Sequence, residues 1–200
     1  MKNVFRNSVT CFAMFLLTVA TALANDPSFK IEKTDNKIIS LTFTDVASPL
    51  SISFRDAEGI LLHSEKYDLQ KKGIKYYNFE EIAAGTYFLE VETDVKVEKY
   101  AITVDSVTTT ILEKADVVLH KPVLVFRNES IMITKLNLSK SDLNVKLYDE
   151  NDNCIYSEVV DATTDNLTIG KKLNVSKLEE GKYTFYLTTD KRTYTKSVNL

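Results

Sequence analysis

Leu50-Ser51-Ile52-Ser53-Phe54 sets an apolar side chain at every second position, and Tyr87-Phe88-Leu89-Glu90-Val91-Glu92 keeps the same period. A period of two buries one face of a sheet and leaves the other to solvent. After the first of these runs, Asp56-Ala57-Glu58-Gly59 is a hairpin turn. Working outward, strands are predicted near residues 29–33, 37–43, 50–55, 60–67, 74–79, 86–93 and 96–104. Helical periodicity is absent beyond the first 24 residues, apart from single turns at 79–82 and 175–178. Seven short antiparallel strands divided by turn residues predict an immunoglobulin-like β-sandwich without the Cys and Trp marks of antibody domains.

The pattern occurs twice. Residues 29–65 align without a gap on 122–158 at an offset of 93, pairing Ile38 with Ile131, Leu50 with Leu143, Ile52 with Val145, Phe54 with Leu147 and Asp56 with Asp149. Further on the offset becomes 96 and pairs Ile82 with Leu178, Gly85 with Gly181, Tyr87 with Tyr183 and Thr93-Asp94 with Thr189-Asp190. A repeat of this length reads as one folding module used twice. The expected organisation is a leader over 1–24, a first β-sandwich over 25–115 and a second over 116–200. The chain is thus expected to be all-β, two tandem immunoglobulin-like antiparallel sandwiches after a cleaved signal peptide.

The residues around each repeated glycine carry a resemblance. Ile82-Ala83-Ala84-Gly85-Thr86-Tyr87-Phe88-Leu89-Glu90-Val91, closed by Ile102-Thr103-Val104, resembles the end of immunoglobulin-like modules common in secreted proteins of the Bacteroidota. Leu178-Glu179-Glu180-Gly181-Lys182-Tyr183-Thr184-Phe185-Tyr186-Leu187 is similar to the C-terminal sorting domain of type IX secretion cargo. That resemblance implies an exported protein, with the second module as a sorting element. Two departures favour a structural repeat instead: the upstream region is only another copy of the same module, and Ser197-Val198-Asn199-Leu200 lacks a basic ending. A glycine that turns tightly into the strand, followed two residues on by a tyrosine with its ring on the sandwich edge, accounts for the motif physically.

Lys2 and Arg6, the apolar run Val9 to Leu17 and the small residues of Ala22-Leu23-Ala24 form an export signal cleaved between Ala24 and Asn25. No later apolar run approaches the roughly 20 residues that span a bilayer. The remaining chain carries 23 basic and 28 acidic residues, a net charge of −5. Such a balance excludes generic binding to the phosphate backbone of nucleic acid. Cys154 is then the one remaining thiol, so no internal disulfide forms, and it reads as a small strand residue in Cys154-Ile155-Tyr156.

The catalytic inventory is thin. His63 and His120 are the only histidines, and there is no Gly-x-Ser-x-Gly, His-Glu-x-x-His or phosphate-cradling loop. No enzyme, no cofactor and no catalytic residue are expected. Asp149, Asn151, Asp152 and Asn153 imitate the start of a calcium loop, but Cys154 replaces its glycine and Val160 its bidentate glutamate, so no metal is expected either. Tyr76, with Tyr67 and Tyr100, is the candidate ligand face, because exposed rings with polar tips stack on sugars. Ser106, in Asp105-Ser106-Val107, resembles a Bacteroidota O-glycosylation site, and Asn128, Asn137, Asn166 and Asn174 each open an Asn-x-Ser/Thr triplet. The function expected is that of an exported surface or interaction protein, its partner another protein or a surface glycan. A carbohydrate-binding accessory protein and a type IX sorting module are the alternatives.

Overall fold

A computed structural model describes residues 28–45, 49–67, 73–163 and 167–200. The cleavage point at Ala24 and Asn25 and the triplet at Asn166 lie outside these residues. Every regular element among the described residues is a strand. The first copy contains β1 (Ser28–Asp35), β2 (Ile38–Asp45), β3 (Leu50–Arg55), β4 (Leu61–Tyr67), β5 (Gly73–Asn78), β6 (Gly85–Glu92) and β7 (Lys96–Val104). Two short strands follow, β8 (Thr109–Ile111) and β9 (Val117–His120). The second copy contains β10 (Val123–Arg127), β11 (Ser130–Leu136), β12 (Leu143–Tyr148), β13 (Cys154–Val160), β14 (Thr168–Asn174), β15 (Lys182–Thr189) and β16 (Arg192–Asn199).

Strand order identifies the fold. In the first copy β1-β2-β5 packs against β4-β3-β6-β7, and in the second β10-β11-β14 packs against β13-β12-β15-β16, all antiparallel. In immunoglobulin notation both are A-B-E against C′-C-F-G, the fourth strand having crossed to the second sheet. Each pair of sheets closes on its own core. Ile31, Ile39, Leu41 and Phe43 meet Leu50, Ile52, Phe54, Leu89, Val91 and Ile102 in one, and Ile131 and Ile133 meet Leu143, Val145, Leu147, Phe185 and Leu187 in the other. The alternation read in β3 is realised there: Leu50, Ile52 and Phe54 are 1%, 0% and 6% exposed, while the serines between them are half-buried on the far face. Burial of each such side chain contributes roughly 1.5–3 kcal/mol, so truncating Ile52 to alanine costs about 2–5 kcal/mol.

The first hairpin corrects the repeat by one residue. The N–H of Phe79 donates to the Lys37 carbonyl at 2.8 Å, and that of Val175 to the Glu129 carbonyl at 2.9 Å, which makes Lys37 and Glu129 equivalent at an offset of 92. Ile39, not Ile38, therefore matches Ile131. The adjacent apolar pair Ile38-Ile39 misleads a sequence alignment, yet only Ile39 is fully buried, and a slip of one residue turns every side chain to the opposite face. Corrected in this way, Phe43 of the first core corresponds to Lys135 of the second.

The repeated glycines also differ from expectation. Gly59 is the one described glycine with positive φ, at 86°, and its place in the second copy is taken by Asp152 at 61°. Gly85 and Gly181 have no left-handed backbone; a Cβ there would lie 3.7 Å from Cε2 of Tyr87 and 3.9 Å from Cε2 of Tyr183, ordinary contact distances. The tyrosines do the work at these corners. Tyr87 donates its hydroxyl proton to the Ala83 carbonyl and Tyr183 to the Glu179 carbonyl, each at 2.9 Å, which is the tyrosine corner of immunoglobulin-like domains.

Beyond β7 the chain folds back on its own edge. β8 pairs with the end of β7 and β9 with its start, so residues past the boundary expected at 115/116 extend the first copy's sheet. One ion pair then secures the link before β10 and another joins the two copies. Lys121 Nζ lies 2.6 Å from Glu92 Oε1, and Arg192 Nη2 lies 2.6 Å from Glu90 Oε1, burying that carboxylate on the outer face of β6.

Candidate functional site

A cleft of about 230 Å³ lies between β4 and β5. These are end strands of opposite sheets and are not paired with each other through their backbones, and the cleft opens between them. Phe54 on β3 and Phe79 just after β5 form its floor, in edge-to-face contact with centroids 5.8 Å apart. Tyr77 closes one wall with its ring 4.7 Å from Phe54, while His63, Leu62, Asn78, Ile82 and Tyr87 complete the lining. Aromatic rings at these separations give a stiff apolar surface rather than a collapsible one.

Carboxylate Glu65 governs the polar side. Tyr77 donates its hydroxyl proton to Glu65 Oε1 at 2.5 Å, Lys75 pairs with Oε2, and His63 Nε2 stands 3.9 Å from Oε1. Burial opposes ionisation of Glu65, but hydrogen bonds from Lys75 and Tyr77 hold its carboxyl below the ordinary value. The Tyr77 hydroxyl is pushed well above its ordinary value by burial and by the same carboxylate, so it remains a donor throughout the physiological range. The second copy builds the same clip differently: Glu158 pairs with Lys171 at 2.7 Å and accepts from Tyr156, which comes from β13 rather than from the opposite sheet. Moving the tyrosine to the carboxylate's own strand leaves Leu173 where the first copy has Tyr77, and aliphatic Leu147 and Val175 where it has Phe54 and Phe79.

The residues singled out in sequence are scattered. Tyr100 lies in the first core against Phe29, and Tyr67 stacks on Phe43 with centroids 4.3 Å apart. Tyr76 is 62% exposed on β5, so the three rings share no face. At the β12–β13 turn, Asp149 Oδ1 accepts the N–H groups of Asn151 and Asn153 at 2.9 and 2.8 Å, and Oδ2 accepts the Asn153 side-chain amide at 3.0 Å. Both carboxylate oxygens thus serve the turn, and Asp152 supplies its left-handed residue. Among the described residues, no three His, Cys, Asp or Glu side chains gather closely enough to hold a metal. Ser106 sits in an exposed turn capped by Asp105 Oδ1, which accepts from Val107 and Thr108 at 2.7 Å each. Asn137 is buried, with Lys135 donating to its Oδ1 at 3.1 Å, so its triplet is not displayed. Cys154 is an exposed strand residue whose thiol donates to the Tyr156 carbonyl at 3.3 Å. His120 ends β9, half-buried.

The cleft itself escaped the sequence reading. Its existence depends on the distance between two end strands, which alternation does not encode. One signal was present: Phe54, Tyr77 and Phe79 are aromatic where the second copy is aliphatic.

No protein-family model matches the chain, and no curated protein matches it. Solved structures do. A biofilm-associated protein BSP domain matches at 17% identity over 87% of this chain and 29% of its own, with a TM-score of 0.28. The two fibronectin type-III domain segment of chicken tenascin matches at 10% identity over 87% of this chain and 98% of its own, TM-score 0.33. The FN1–FN3 domains of chicken CNTN1 match at 9% identity over 86% and 63%, TM-score 0.28. The immunoglobulin-like assignment rests on the strand order and paired cores above. Among the described residues no helix is long and apolar enough to cross a membrane.

Proposed function

We propose that this chain is an exported, non-enzymatic interaction protein of two immunoglobulin-like modules, the first carried on past residue 115 by β9 and the second beginning with β10, and that the first module receives an extended segment of a partner protein along β4. One observation carries this reading. Ile60, Leu61 and Leu62 are 61%, 49% and 50% exposed at the start of a terminal strand, beside the aromatic cleft. Exposed apolar edges are normally blunted with charge or proline, because they recruit further strands. A partner strand laid on β4 pairs with the outward edge of a strand that ends its sheet, and an apolar side chain from it fills the cleft. The chain already uses this mode on itself, where β8 and β9 add to the edge of β7.

Export rests on the leader and its cleavage point. The sorting reading gains less support, since the Gly-x-Tyr motif that carries the type IX resemblance has the same corner-forming role in both copies. Panning a peptide display library against residues 25–200 tests the proposal. Enriched peptides are expected to alternate apolar or aromatic residues and to lose at least about tenfold in affinity against Leu62→Lys. Peptides that bind Leu62→Lys as well as the parent, or no enrichment, would overturn it.

A further inference from the structure

The outer face of the second copy's four-stranded sheet differs from that of the first in a way the fold does not require. Inward positions match in kind: Leu50, Ile52, Phe54, Leu89 and Val91 against Leu143, Val145, Leu147, Phe185 and Leu187, all in their cores. Outward, Arg55 and Glu90 of the first copy, which pair with each other at 3.4 Å, are replaced by Tyr148 and Tyr186. Equivalent strands fold with an ion pair at these two positions, so the fold itself does not call for the rings.

They stand in a built hollow. Tyr148 and Tyr186 meet edge to face, centroids 5.2 Å apart and planes at 81°, above a depression of about 390 Å³ that also takes in Asn144, Lys146, Asp152 and Thr188. Cross-strand register fixes the arrangement, with Asn144 opposite Thr188 and Lys146 opposite Tyr186. Tyr186 remains 38% exposed. The Asn144 Oδ1 atom is buried without a hydrogen-bond partner. An unpaired buried acceptor costs about 1–3 kcal/mol, a cost that a ligand donor there would remove.

We infer that this hollow binds a neutral saccharide, one pyranose ring laid on Tyr186 with its hydroxyl groups donating to Asn144 and Asp152 and accepting from Lys146. A sugar ring offers an apolar C–H face to an aromatic side chain and a rim of hydroxyls, and the hollow presents that same division. Lys146 and Asp152 balance in charge, which suits an uncharged ligand better than a uronate or a phosphate. The site is separate from the β4 edge, so either reading can fail without the other.

Saturation-transfer NMR of the chain from residue 25 to 200 with soluble cello-, xylo-, manno-, malto- and laminari-hexaoses provides the test. Transfer to at least one hexaose at millimolar concentration is expected, lost by about tenfold in affinity in Tyr186→Ala and in Asn144→Ala, and retained in Tyr76→Ala. Unchanged thermal unfolding of Tyr186→Ala separates lost binding from lost fold. Absence of transfer to all five sugars, or transfer that survives both substitutions, overturns the inference.

Discussion

Lys135 Nζ lies 2.6 Å from Asp190 Oδ2, with both side chains almost wholly buried, at the point where the first core holds Phe43. The ammonium also donates to Asn137 Oδ1 and Thr189 Oγ1, each at 3.1 Å, and Ser139 donates to Asp190 Oδ1 at 2.6 Å. The second module therefore ends its core in a polar lock where the first ends in stacked rings. A buried ion pair of this kind adds little over a good apolar replacement, but breaking it strands a charge.

Removing the charge of Asp190 alone is accordingly expected to be severe. Asp190→Asn, which keeps the shape and tolerates the positive φ of 50°, should cost about 3 kcal/mol in urea unfolding of the second module. The double variant Lys135→Met, Asp190→Asn should return to within about 1 kcal/mol of the parent. Burial opposes ionisation of Asp190, yet hydrogen bonds from Lys135, Ser139 and Ser141, with the lysine's charge, hold its carboxyl below the ordinary value. Its native value being depressed, the stabilisation is complete above the unfolded value near pH 4 and is lost as pH falls through the lower native one. The gap between parent and Asp190→Asn should close below about pH 4; a gap unchanged at pH 3 would refute the pairing.

Gly170 has a different kind of importance. A Cβ on it would stand 2.3 Å from the Ile133 carbonyl oxygen and 3.2 Å from Thr134 Cα, backbone atoms of the strand it pairs with. Relief requires parting β11 from β14. Gly170→Ala should cost about 1–3 kcal/mol in chemical denaturation, whereas Gly85→Ala, which meets only its own corner tyrosine, should stay near neutral.

Three hairpins among the described residues, β10–β11, β12–β13 and β15–β16, place non-glycine residues where the backbone is left-handed. Lys191 closes the β15–β16 turn at φ 60° after Asp190 at 50°, the pattern of a type I′ turn. Lys191→Gly removes a steric cost of about 1–2 kcal/mol and adds back about 0.5–1 in chain entropy, a net gain of about 0.5–1 kcal/mol. The same change at Lys196, within β16, should lower the melting temperature instead. Equal effects at the two lysines would show that conformation is not what distinguishes them.

These contrasts also mark what the sequence could and could not convey. Alternation at Leu50, Ile52 and Phe54 places the strands within about two residues of their true ends, because burial on one face enforces a period of two. It fails at Ile38-Ile39, where two adjacent apolar residues compete for one inward position and only the turn hydrogen bonds decide. It also gives no account of Lys135, since a charged residue at a core position reads as a solvent-facing one until Asp190 is seen beside it. Of the candidate sites, neither the cleft between β4 and β5 nor the Tyr148–Tyr186 hollow follows from local pattern. The first depends on a gap between sheets, the second on rings from strands about 40 residues apart meeting on one face.

The two tyrosine corners allow one interaction to be measured twice in one chain. Tyr87 and Tyr183 each donate to a carbonyl four residues earlier at 2.9 Å, but Tyr87 lies at the mouth of the open aromatic cleft and Tyr183 is buried in its core. Phenylalanine at either position keeps the ring and deletes the bond. A net hydrogen bond contributes about 0.5–1.5 kcal/mol, and leaving its acceptor dry costs more than leaving it wet. Tyr183→Phe should therefore lie at the upper end of that range and Tyr87→Phe at the lower, since water can reach the Ala83 carbonyl. Thermal unfolding of each variant, followed by hydrogen exchange within its own module, checks the order. A larger loss in the first module would mean that the Tyr87 ring is held mainly by its hydroxyl rather than by the packing of the cleft.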